Sequence, residues 1–114
     1  IASALSENVR FMSSEKRRSL HLAAVFACNF TNHIYTLSYK LLENESIPAD
    51  VLLPLIDETV SKIHSMPPAA AQTGPAIRYD ENVINKHLAM LDDPDMQAIY
   101  RLFSQSIHKE AQNE

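Results

Sequence analysis

An all-α domain, one long helix packed by about three further helices, is the fold this sequence predicts, and three observations carry it. Glycine occurs once in 114 residues, against roughly eight at the average usage of ~7 %, so hairpin turns are poorly supplied. Residues 15–43 run without a proline or glycine. Three later segments repeat apolar residues at helical spacing, each opening on a proline or an aspartate.

Taken in order, residues 1–7 read as the last turns of a helix, with Leu5 as its buried position. Asn8 to Met12 alternates, Val9 and Phe11 on one side, as a short strand does. Ser14 is the expected N-cap of the long helix, which runs from Glu15 to about Glu43. Its middle, HLAAVFACNF, is apolar almost all round, the pattern of a helix surrounded by protein. At ~1.5 Å per residue it spans about 43 Å, long for so small a domain. It therefore kinks near residues 29–32 or relies on another domain or subunit for cover.

After Ile47-Pro48 comes an irregular turn over residues 49–51, then a helix from about Leu53 that tolerates Pro54 in its first turn. Leu55, Ile56, Thr59, Val60 and Ile63 form its stripe, and Glu58 with Lys62 pairs on the outside. Met66-Pro67-Pro68 stops it. Residues 69–72 suit a short helical turn, and Gly74 precedes Pro75, where glycine's freedom is useful. Asp80 caps a third helix with Val83, Ile84, His87, Leu88 and Leu91 inward. Asp93 with Pro94 starts the last, on Met96, Ile99, Tyr100, Phe103 and Ile107. The tail from His108 is polar and is expected to fray, with His108 exposed. The domain plan is a remnant of a preceding domain at 1–14, a helical domain at 15–110, and a frayed tail at 111–114.

Composition excludes several functions. A lone Gly74 builds neither a dinucleotide fingerprint nor a P-loop, both of which need two or more glycines. The net charge of −4 and the single short basic cluster, residues 16–18, argue against nucleic acid. Cys28 stands alone, which excludes an internal disulfide and a multi-cysteine zinc site; in its apolar run it reads as a small buried hydrophobe. The five histidines show no metal-binding spacing, so no metal is expected. The longest apolar run, residues 22–28, is too short to cross a bilayer. With no signal peptide and one cysteine, the expected compartment is the cytoplasm. The chain opens on Ile1-Ala2-Ser3, which reads as a piece of something longer.

The chemistry-bearing feature is a polar row on the long helix. At about 100° per residue, His21, Val25, Cys28, Asn29, Asn32 and Thr36 fall within roughly one third of the circumference, with His33 beside Asn29. Leu22, Phe26, Phe30 and Leu37 take the opposite side. A buried unpaired amide costs about 1–3 kcal/mol, so these residues either satisfy one another and the 69–79 connection or face a ligand. Asn offers a donor and an acceptor without charge, and His exchanges protons near neutral pH. On the ligand reading His33, Asn29 and Asn32 are catalytic, His33 being favoured for the proton. His21, Gln72, Thr73 and Arg78 then bind substrate, Arg78 as a partner for a carboxylate or phosphate.

The stretches HLAAVFACNFTNH at 21–33, PLIDET at 54–59 and AAQTGPAIRYD at 70–80, followed by His87, closely resemble the C-terminal half of a family of Rossmann-like oxidoreductases. That half is known as domain of unknown function 2520, and the resemblance covers nearly the whole chain. It implies an all-helical domain similar to the C-terminal domain of 6-phosphogluconate dehydrogenase, following an N-terminal dinucleotide domain whose last helix and strand would be residues 1–12. It implies an NADP- (or NAD-) dependent oxidoreductase, the cofactor held mainly by the absent N-terminal domain, and a small-molecule substrate. Homodimerisation through the helical domain is expected, because the long helix needs more cover than three short partners give, and related dehydrogenases pair this way. Residues 1–114 alone are not expected to be active. The alternative is a stand-alone helical interaction module without catalysis.

Overall fold

The computed structural model of the chain describes residues 12–113. All regular elements among them are helical, as the glycine-poor composition predicts. The chain divides into two units, Ile1–Ala49 and Asp50–Glu114. The expected helix and strand over residues 1–11 lie outside the described residues.

In the first unit, α1 (Ser14–Ala24), a π-helical turn (Val25–Phe30) and α2 (Thr31–Asn44) follow one another without a break, roughly 45 Å in all. Ser13, and not Ser14, is the N-cap: its extended backbone lets Oγ accept from the Lys16 N–H at 3.2 Å. Two neighbouring serines are equivalent to a propensity argument, and only the backbone conformation decides between them. Glu15 sits in the first turn, where the helix dipole favours it. At the far end the Ser46 N–H bonds Glu43 O and the Ile47 N–H bonds Leu42 O. This is a Schellman closure with Ser46 at φ 55°, a place usually held by glycine.

No residue of α1, the π turn or α2 is buried. Leu22 is 60 % exposed, Phe26 62 % and Phe30 51 %, with the two phenyl rings edge to face at 5.2 Å. Cys28 is exposed, which corrects its reading as a buried hydrophobe. An apolar sequence says that a surface needs cover, not that its own unit supplies it.

The second unit follows a 3-10 turn over Ala49–Leu52. Its helices are α3 (Leu53–Lys62), the single turn α4 (Pro68–Ala71), α5 (Glu81–Ala89) and α6 (Pro94–Gln112). The Asp80 carboxylate accepts from the Val83 N–H at 3.4 Å, and that of Asp93 from the Asp95 N–H at 3.0 Å. Both caps are the expected ones. Lys62 and Glu58 make the expected outer pair at 4.0 Å, an exposed contact of little energetic weight. The small core is Ala76, Ile84 and Ser104.

Three side chains lock α6 to the rest of this unit. Gln97 donates to the carbonyls of Leu88 (3.2 Å) and Leu91 (2.7 Å), supplying partners for acceptors that the end of α5 leaves over. His87 Nδ1 lies 2.7 Å from the Tyr100 hydroxyl, so the ring expected to point inward is an exposed side chain tied down at one nitrogen. His108, expected exposed in a fraying tail, is half-buried and donates from Nδ1 to the Ile77 carbonyl at 3.0 Å. That tertiary bond fits a helix that continues to Gln112 despite its polar composition.

Candidate functional site

The polar row lies on the π turn and the helix turns that flank it. His21 closes α1, Asn29 is in the wide turn, and Asn32 and His33 open α2. All four are exposed, and among the described residues none of their side chains has a hydrogen-bond partner. A satisfied buried core is therefore not their arrangement here. Around them the α-helical ladder is interrupted: the Val25 N–H is shared between the carbonyls of His21 and Leu22, and the Thr31 hydroxyl donates to Phe26 O at 3.2 Å. Single π turns within α-helices are frequent at functional sites. Here one carries Asn29 and is flanked by Asn32 and the two imidazoles, groups able to bind a polar ligand and to pass a proton.

The expected substrate-binding residues of the second unit share the connection between α4 and α5. Gln72 is extended and exposed, its amide donating to the Thr73 carbonyl at 3.0 Å. Thr73 is exposed beside it, and Gly74 has φ 104°, a conformation closed to most side chains, before Pro75. Residues 75–80 then close a Schellman-type turn, Asp80 N–H to Pro75 O and Tyr79 N–H to Ala76 O, with Tyr79 at φ 50°. A left-handed tyrosine is uncommon and strained. Arg78 stands exposed at the rim of a groove.

That groove, about 390 Å³, is lined by Arg78, Tyr79, Glu81, Gln105, His108, Lys109 and Gln112. His108 donates from Nδ1 to Ile77 O, and its Nε2 receives the Gln112 amide at 3.1 Å. This places the ring proton on Nδ1, because a carbonyl can only accept. The Tyr79 ring packs against it at 5.4 Å between centroids. Sequence reasoning found Arg78 and missed the rest. The signal was present: Gln105, His108, Lys109 and Gln112 stand at i, i+3, i+4 and i+7, one helix face made of polar groups. The other missed group is Tyr100, whose hydroxyl meets His87 and whose pKa is raised by burial.

Among the described residues no three His, Cys, Asp or Glu side chains converge as a metal site would require. Nor is any described helix long and apolar enough to cross a membrane.

Comparison with known proteins narrows the setting. Among curated proteins, none matches the chain. It is similar to the crystal structure of a proposed NADP oxidoreductase from Bacteroides fragilis, with 63 % identity and a TM-score of 0.85. The likeness covers 87 % of this chain and 39 % of that protein, so the chain spans well under half of its relative's length. The family described as a domain of unknown function, DUF2520, matches residues 1–107. With nearly every residue inside that match, and with the three motifs at 21–33, 54–59 and 70–80 within it, the chain belongs to the DUF2520 family.

Proposed function

We propose that this chain is the helical substrate-side and dimerisation domain of an NADP-dependent oxidoreductase, similar in role to the C-terminal domain of 6-phosphogluconate dehydrogenase. The observation that carries the reading is the 63 % identity to a proposed NADP oxidoreductase of which the chain spans only 39 %. The described residues fit one half of such a site. Gly74 is the only glycine and is followed by Pro75, which has no N–H, so the glycine-rich turn of a dinucleotide-binding motif is not encoded here. The phosphates are held by the dinucleotide domain outside these residues. When bound, NADP supplies the hydride chemistry. Asn29 and Asn32 hold the polar groups of a small substrate, and His33 exchanges the proton at its reacting oxygen or nitrogen. His21 extends the polar row by one more imidazole.

The exposure of Asn29 and His33 makes the test clean. In the full-length protein, Asn29→Ala and His33→Ala leave the melting temperature nearly unchanged, since neither removes a hydrogen bond among the described residues. Turnover falls by roughly 10²-fold or more, the scale of a lost general acid or base. Both variants unfolding with residual specific activity intact would reject the assignment.

A further inference from the structure

We propose that the groove between the 78–81 turn and the last two turns of α6 binds a small oxyanion, a carboxylate or a phosphate group on a small molecule. The inference does not rest on the oxidoreductase reading. Arg78 and Lys109 bring two cations to one cleft of about 390 Å³, and Glu81 is the only carboxylate lining it. None of the three is paired with an opposite charge among the described residues, where Glu58–Lys62 is the only ion pair. The cleft is thus net positive in a chain of net charge −4. Arg78 supplies a planar fork that matches either oxyanion, and Lys109 a point charge.

Two further observations indicate a built surface. Tyr79 is held at φ 50° with its ring against His108, and such strain persists where surrounding contacts impose it, often at ligand clamps. His108 is fixed at both ring nitrogens, by Ile77 O and by the Gln112 amide. Gln105 and Gln112 complete the polar lining. The exposed rim implies weak binding, on the order of 1 mM.

The test uses full-length protein labelled at histidine and glutamine nitrogens, with NADP added so that any nucleotide site elsewhere is filled. Inorganic phosphate and succinate are titrated separately against sodium chloride of matched ionic strength. Saturable shifts at His108 and Gln112 are expected with phosphate, with succinate, or with both, and the pattern separates the two sources. Arg78→Gln and Lys109→Gln each weaken the response by roughly tenfold, while Arg101→Gln, outside the groove, leaves it unchanged. Shifts that track ionic strength without saturating, or that survive both groove variants, would overturn the proposal. None of these readouts requires turnover, so failure of the groove and failure of the oxidoreductase reading remain separate results.

Discussion

The Tyr100 hydroxyl, 2.7 Å from His87 Nδ1, ties α6 to α5 through a bond between two side chains thirteen residues apart. Burial raises the phenol above its ordinary value of 10.0, because the phenolate loses more hydration than the neutral form. The sign of the linkage follows. The unfolded chain releases this proton first, so the tyrosine's contribution is whole below about pH 10 and is lost as pH climbs through the raised folded value. Thermal melts of wild type and Tyr100→Phe should therefore differ at pH 7–9 by the lost hydrogen bond, about 1 kcal/mol. The gap should narrow above pH 10. At this scale the sequence was legible where a residue acts alone, as with Asp80 and Asp93 at their helix starts. It misled where distant partners decide, as with His108, whose companion Ile77 lies thirty-one positions away.

Helix ends show the same division. Pro54, the Pro67–Pro68 stop and the irregular turn expected at 49–51, which the structure extends to Leu52, were all readable, because proline geometry is local. The π turn at Val25–Phe30 was not legible, the sequence offering only a kink near residues 29–32 as one of two alternatives; turn width depends on how backbone hydrogen bonds are shared, which composition does not encode. The Schellman closure of α2 gives a quantitative check. Ser46 holds the left-handed position with a side chain that disfavours it, so Ser46→Gly should stabilise the fold by about 1 kcal/mol. Differential scanning calorimetry should then show a melting temperature higher by a few degrees. A decrease would mean that the serine side chain contributes more than its backbone strain costs.

At the scale of the whole molecule, the first unit presents an apolar surface that its own elements leave open, with Leu22, Phe26 and Phe30 more than half exposed. Isolated apolar side chains on a surface are ordinary, whereas three such residues gathered on one helix are the surface that the proposed dimer would cover. The dimerisation role predicts that full-length protein at micromolar concentration scatters light as a dimer. Phe26→Glu should shift it to monomer while leaving helicity by circular dichroism within a few per cent; a clean wild-type monomer would reject that role. The polar row was legible because Asn and His stand out against an apolar helix. Its surroundings were not, since the surface that covers a helix is written in other residues than its own.

A wide turn also changes the arithmetic of everything beyond it. Uniform α-helical rotation sets His33 about 120° around the axis from His21. A single π turn takes up one extra residue, which turns every downstream side chain back by about 100° and brings the two imidazoles to within about 20° of one another. The residues around Asn29 therefore set the direction of the polar row through their number as well as their identity. Substituting Ala27 alters one small side chain, whereas deleting it would swing Asn32, His33 and Thr36 together onto another meridian of the helix. Across this family, the segment equivalent to residues 25–30 should vary in letters more freely than in length.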